Sequence, residues 1–288
     1  MSPREVRVSG HDALLLATQL LQRARLADPR AGVWEAADLQ WWSRRPRDSD
    51  DVEQLFWVDE DGPVAGVWLT SEDGVWQCDP ILVPGRSVHP AAVWARALEQ
   101  VRDLSLEVFE VPVTDTDTVL ARLARDAGLV PAEHDATTWM DAAARPGVEA
   151  PCDGFVLVDR SQRAGTPHPM RARNGDAVEE RLGRCPLYDP ELDLAVETED
   201  GDVAAYSLYW FDPVTGVGLV EPVRVEDAHQ RRGLARAMLT AGIDRLVRRG
   251  ATRIKVSYGS EGAGALYRGV GFRPTSTATW YRGGRDDR

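Results

Sequence analysis

Three segments of this 288-residue chain occur twice, in the same order. Trp57-Val58-Asp59-Glu60-Asp61-Gly62-Pro63-Val64-Ala65 is echoed by Val196-Glu197-Thr198-Glu199-Asp200-Gly201-Asp202-Val203-Ala204. Leu123-Ala124-Arg125-Asp126-Ala127-Gly128-Leu129-Val130-Pro131 is echoed by Leu266-Tyr267-Arg268-Gly269-Val270-Gly271-Phe272-Arg273-Pro274, and Thr138-Trp139 by Thr279-Trp280. The turn glycines lie 66 residues apart in the first copy (Gly62 to Gly128) and 70 in the second (Gly201 to Gly271). A period of this size is that of a duplicated domain and is too long for a solenoid repeat.

The local patterns agree with a duplication. In the first copy, strand and helix signals alternate. A strand is expected over 6–8, helices over 12–25 and 34–42, and a hairpin over 55–69. A strand at 75–83, a helix at 90–101, a strand at 107–113, a helix at 118–127 and a strand at 137–140 follow. Residues 142–154, AAARPGVEAPCDG, read as a linker. The order then repeats: strand 155–158, helix 175–182, hairpin 192–210, strand 217–225, helix 233–249, strand 253–258, helix 263–270 and strand 277–281. The expected organisation is a first domain over 1–145, a linker over 146–154 and a second domain over 155–288, each with a mixed α/β sheet.

Composition narrows the function. Hydrophobic residues make up 43% and charged residues 28%, enough apolar material for a buried core. No run of about 18 apolar residues predicts a membrane span, and the charged start MSPREVRVSGHD does not read as a secretory signal. Cys78, Cys152 and Cys185 are odd in number and far apart, and the histidines show no ligand spacing. No disulfide framework and no metal site is therefore expected, and a reducing cytoplasm is. The net charge of −12 resides in the first half: residues 1–150 carry 26 acidic and 14 basic side chains, whereas 151–288 carry 20 of each. Such a chain is a poor binder of nucleic acid backbone. Lys255 is the only lysine, and arginine dominance with high Ala and Gly content points to a GC-rich bacterial genome.

The chemistry-bearing stretch is 218–238, GLVEPVRVEDAHQRRGLARAM. A β-branched strand runs into a turn, Gln230-Arg231-Arg232-Gly233-Leu234-Ala235, and then into a helical pattern. A helix that starts there leaves unpaired backbone N–H groups at the positive end of its dipole, which is an anion site. The first copy has Pro80-Ile81-Leu82-Val83-Pro84-Gly85-Arg86-Ser87-Val88-His89-Pro90 in the same place, where Pro84 and Pro90 remove donors.

The second copy resembles the GNAT superfamily of N-acetyltransferases. The matching residues are Val223-Arg224-Val225, the Q-x-x-G-x-A loop (Gln230, Gly233, Ala235) and the L-Y-x-x-x-G-F segment (Leu266, Tyr267, Gly271, Phe272). The resemblance covers residues 155–283 closely and residues 1–141 by element order. It implies two tandem GNAT folds, each with a splayed central sheet, the first one degenerate. It further implies acetyl-CoA as cosubstrate, with its pantetheine arm on the backbone of Val223, Arg224 and Val225. The pyrophosphate would lie on Gln230, Arg231, Arg232, Gly233, Leu234, Ala235 and Arg236. Tyr267 falls where the family keeps a tyrosine near the CoA sulfur, and Ser260 where it often keeps an Asn. Glu221 is the candidate base for an acceptor ammonium; in a regular strand it shares one face with Val223 and Val225.

The expected activity is direct transfer of an acetyl group to a primary amine, preferably a small molecule, by a monomer or homodimer. Two other readings fit the residues: a non-catalytic acyl-CoA-binding module, and an acetyltransferase like the mycothiol-forming enzymes, whose acceptor is a cysteinyl amine. Tyr209 and Trp210 fit either an acceptor cleft or the core.

Overall fold

The computed structural model describes residues 3–30 and 32–284. The chain packs as two compact units, and their limits do not follow the two copies of the repeat. One unit contains residues 1–39, 46–136 and 276–288; the other contains 40–45 and 137–275. Each copy thus leaves its last strand in the other copy's unit. The sequence boundary at 146–154 separates the copies of the repeat, not the packed bodies.

In the first unit, β1 (Arg4–Val8), β2 (Gln54–Asp59), β3 (Gly62–Glu72) and β4 (Val75–Leu82) form an antiparallel series. β4 then runs parallel to β5 (Val108–Thr114), and this pairing lasts only through Trp76↔Phe109 and Gln77↔Glu110 before the strands part. The sheet is completed by β12 (Arg273–Gly284), antiparallel to β5 from Ala278↔Thr114 to Gly284↔Val108. α1 (Gly10–Ala27) packs on β3, where the missing side chain of Gly66 admits Leu20: a Cβ there would lie 2.9 Å from the Leu20 methyl. α3 (Pro90–Asp103) and α4 (Thr118–Asp126) bury Val93, Trp94, Ala97 and Ala124 against Leu55, Val67, Leu69, Val111 and Val113. α2 is Ala36–Trp42, so Trp34 precedes the helix that the sequence pattern extends to it.

In the second unit, β7 (Phe155–Asp159), β8 (Asp193–Thr198), β9 (Val203–Asp212) and β10 (Val217–Val225) are antiparallel neighbours. β11 (Arg253–Val256) is parallel to β10 over Val217↔Arg253 to Leu219↔Lys255 and no further. The end of β6 (Val130–Asp141) closes this sheet, pairing Thr138–Asp141 antiparallel with β11. The helix expected over 175–182 is the shorter α6 (Val178–Gly183), and a further short helix, α5 (Arg171–Asn174), precedes it, with Gly175 at φ 86° between the two.

α7 (Leu234–Arg249) lies on the sheet through Leu234, Met238, Leu239, Ile243 and Leu246. Tyr209 of β9 fixes it: the phenol donates to the Met238 carbonyl at 2.9 Å, and the ring rests on the helix at Gly242. α8 (Glu261–Val270) ends at Gly271 with φ 115°, just as α4 is followed by Gly128 with φ 84°. The N–H of Phe272 bonds the carbonyl of Tyr267 at 3.0 Å, and the N–H of Leu129 bonds that of Ala124 at 3.0 Å. The two copies therefore superpose in backbone chemistry, and Tyr267 stands where the first copy has Ala124.

Candidate active site

The turn expected to hold an anion has the backbone for it. Arg231 has φ 63° and Gly233 has φ 80°, with Arg232 between them. Left-handed geometry is uncommon for a non-glycine residue and costs on the order of 1–3 kcal/mol, so it persists only where the surroundings require it. No side chain caps α7. The N–H groups of Arg236 and Ala237 return to the Gly233 carbonyl, while those of residues 231 to 235 have no protein acceptor among the described residues. Successive free N–H groups at a helix start form an anion-binding nest. A Cβ built on Gly233 would meet nothing within 4 Å, so the concavity is open. The donor set suits a pyrophosphate.

The flanking side chains hold this turn. Gln230 donates to Asp227 at 3.0 Å instead of projecting into the nest. Arg236 donates to Glu149 at 2.7 Å and to the Gly269 carbonyl at 3.1 Å, tying α7 to the linker and to α8. Arg173 clasps Glu226 through two bonds of 2.8 Å, which hold that carboxyl below the usual range. Arg224 pairs with Asp227 at 3.2 Å. The acidic residues after β10 are thereby engaged by arginines beside the anion site. Arg231 and Arg232 are exposed at its mouth.

Beyond Leu219, β10 loses its parallel neighbour, and Val223, Arg224 and Val225 pair on one side only, with Ser207, Tyr206 and Ala205 of β9. Their other edge is free among the described residues and offers peptide groups to an extended amide-bearing arm. The register shifts between Val220 and Val223. This bulge interrupts the alternation that would put Glu221 on one face with Val223 and Val225. Trp210, fully buried, holds the bulge by donating from Nε1 to the Glu221 carbonyl at 3.0 Å. Trp210 and Tyr209 are thus core residues, not the wall of an open cleft.

The bulge places Glu221 within electrostatic reach of Tyr267. Burial first, and then the Glu221 charge, push the Tyr267 phenol above its usual range, so it stays protonated at neutral pH. The Tyr267 ring sits 5.9 Å from Tyr258 and 5.9 Å from Phe272, the latter edge-on at 76°. Tyr258 was not singled out in the sequence. Its signal is Gly264, where a Cβ would come within 2.6 Å of the Tyr258 ring. That glycine makes room for the clamp on Tyr267. Ser260 caps α8, accepting from the Ala263 N–H at 3.3 Å, so its oxygen has a structural task. The lone lysine, Lys255, is buried between Ile254 and Val256 on β11. Among the described residues no group of three or more His, Cys, Asp or Glu side chains is placed to hold a metal ion, and no helix is long and apolar enough to cross a membrane.

Known proteins resemble this chain in sequence and in fold. Residues 164–272 match the family model described as "Acetyltransferase (GNAT) family". Residues 164–272 are thus similar to a GNAT acetyltransferase domain. Among similar curated proteins is the mycothiol acetyltransferase of Clavibacter michiganensis subsp. michiganensis, 28% identical over 208 residues, covering 70% of this chain and 62% of that protein. The match thus spans somewhat under two thirds of that relative's length. The mycothiol acetyltransferase of Kineococcus radiotolerans is 28% identical over 296 residues, 95% of this chain and 93% of that protein. Among solved structures, a tandem GNAT protein from the clavulanic acid biosynthesis pathway shares the fold at a TM-score of 0.70 with 17% identity, covering 99% of both chains. A GNAT protein from Sphaerobacter thermophilus does so at 0.60 with 18% identity, covering 98% of this chain and 97% of that one.

Proposed function

We propose that this chain is an acetyl-CoA-dependent N-acetyltransferase that acts on a small primary amine in the cytoplasm. The observation that carries this is the alignment of three parts along one strand. An uncapped nest lies at residues 231–235, a one-sided strand edge at Val223–Val225, and Glu221, whose charge reaches the Tyr267 phenol, precedes that edge on β10. The bound thioester supplies an activated acetyl group. The nest holds the pyrophosphate, and the free edge of β10 aligns the arm so that the sulfur approaches α8. Glu221 accepts a proton from the acceptor ammonium, freeing a lone pair for attack on the carbonyl carbon. The C–N bond forms as the C–S bond breaks, the electron pair leaves on sulfur, and the second proton lost by the attacking nitrogen ends on the thiolate, giving the amide and the free thiol. Tyr267 donates its O–H to that thiolate. A thiol has a pKa of about 8.5 and a phenol about 10 or more, so the phenol stabilises the thiolate chiefly by a hydrogen bond.

The test is release of free thiol on incubation with acetyl-CoA and a panel of amines, with CoA binding followed by calorimetry. Tyr267→Phe is expected to lower kcat by about 10²-fold while leaving CoA affinity unchanged. CoA binding without turnover on any amine, and no effect of Tyr267→Phe, would make the second unit a binding module. The curated relatives share the name mycothiol acetyltransferase, so the panel also includes a cysteinyl amine as the alternative acceptor.

A further inference from the structure

The first unit has a cleft of its own, of about 470 Å³, where β4 and β5 part. This is in the range of small-molecule sites, roughly 300–1,000 Å³. Its walls are mostly apolar, with Leu21, Val33, Ile81, Leu82, Val113 and Leu120 among them. It occupies the place that the splay between β10 and β11 occupies in the second unit, but its chemistry is opposite. The helix start beside it is closed: His89 Nδ1 accepts from the Ala91 N–H at 3.2 Å, and Pro84 and Pro90 have no N–H to give. Among the described residues, the charged ones lining it are Asp28, Asp79 and Asp117, and no arginine or lysine does so.

Two of these aspartates are committed at the rim. Asp28 accepts from the Arg30 N–H, and Asp117 caps α4 through the Leu120 N–H, each at 2.9 Å. Asp79 is different, being only 4% exposed. Its Oδ1 accepts from Trp34 Nε1 at 2.8 Å and its Oδ2 from Gln77 Nε2 at 2.6 Å. Both donors are neutral, and no cation pairs with it among the described residues. Ionised carboxylates are rarely buried without a cation, because desolvation of the charge is not recovered from neutral donors alone. The two oxygens have about four acceptor positions, and these bonds fill two.

We propose that this cleft binds an organic cation, a primary or secondary amine with an apolar body, with the ammonium on Asp79 and the body between β4 and β5. A primary or secondary ammonium has at least two N–H donors, enough to fill the two open acceptor positions, and the acidic lining rejects the phosphates of a nucleotide. Burial raises the Asp79 carboxyl to about 7 in the ligand-free protein, consistent with a charge that lacks its counter-ion. The inference concerns a separate site and stands apart from the acetyltransfer reading.

The test uses the full chain with isotope-labelled tryptophan and follows the indole N–H of Trp34 by NMR, assigned with Trp34→Phe. The probes are phenethylamine, phenethyl alcohol, phenylpropionate and CoA. Phenethylamine is expected to shift the Trp34 resonance saturably. The alcohol should require at least about tenfold higher concentration, from the loss of a charge-assisted bond, and the two anions should leave the resonance in place. In Asp79→Asn the amine and the alcohol should become equal. Val119→Arg, at a position already 41% exposed on the cleft lining, should weaken the amine severalfold without disturbing the fold, so the test stands even if Asp79→Asn fails to fold. No shift with the amine, equal binding of amine and alcohol by the unaltered chain, or a shift of Trp34 by CoA would overturn the proposal. Occupancy of the second unit by an amine does not report at Trp34, so loss of either reading leaves the other intact.

Discussion

Gly242→Ala is the substitution that most directly tests how α7, and with it the anion nest, is positioned. A Cβ at Gly242 would stand 2.0 Å from Cζ of Tyr209, 2.2 Å from Cε2 and 2.3 Å from Cε1. The ring cannot swing aside freely. It is fully buried in the core of the second unit, and its hydroxyl is bonded to the Met238 carbonyl at 2.9 Å. Relief requires lifting the helix or displacing the ring. Overpacking of this kind costs about 1–3 kcal/mol, sometimes more, and loss of the phenol's bond adds about 1 kcal/mol. Alanine returns about 1 kcal/mol in helix propensity. The net expectation is about 1–3 kcal/mol of destabilisation in urea or thermal unfolding, with a weaker affinity for CoA because the N-terminus of α7 carries the nest. The double variant with Tyr209→Leu removes the clash, so a double-mutant cycle should show favourable coupling of more than about 1 kcal/mol. A neutral or stabilising Gly242→Ala, or additivity of the two substitutions, would refute the placement of the ring.

Three further outcomes follow from particular contacts. Gly233→Ala puts a side chain on a residue at φ 80° with open space around it; about 1–2 kcal/mol of strain is expected, and calorimetry should show CoA affinity falling at least about tenfold because the Cβ obstructs the approach of the phosphates. Arg25→Met removes one partner of the buried Arg25–Glu35 pair, whose side chains are 4% and 5% exposed, and unfolding experiments should show a loss of about 3–5 kcal/mol. Asp79 has a folded-state pKa of about 7, raised from 3.8 by burial, so the folded state binds the proton more tightly than the unfolded one. Its contribution to stability is therefore full below about pH 4 and is lost as pH rises to about 7; Asp79→Asn should flatten this slope in the pH dependence of unfolding.

Much of the candidate site was legible because its signals are local. Glycine at a helix end or hairpin turn marks a left-handed backbone, so the paired glycines at 62 and 201, and at 128 and 271, could be aligned before any fold was known; all four adopt positive φ. The strand, turn and helix around Gly233 are likewise adjacent in the chain. Glu221 was harder to read. Its position on a strand was evident, but the bulge at 220–223 in which it lies is held by Trp210 of the neighbouring strand. The roles of Gln230 and Arg236 as clasps depend on Asp227, Glu149 and Gly269, and Ser260 closes the start of α8.

By itself the sequence carried the repeat of an α/β pattern, the Gln230–Ala235 glycine turn present in the second copy alone, and the tyrosine that only this copy has at the Tyr267 position. Tertiary structure decided which strand completes which sheet. Thr138-Trp139 and Thr279-Trp280 are nearly the same edge in local terms, and strand pairing depends on partners far away in the chain. β6 therefore joins β11, and β12 joins β5, although the order of the repeat favours the reverse. Tertiary structure also decided the character of the first copy. Trp34, Gln77 and Asp79 carry no motif, and they become a buried carboxylate at the wall of a cleft only when the segment before α2 folds against β4.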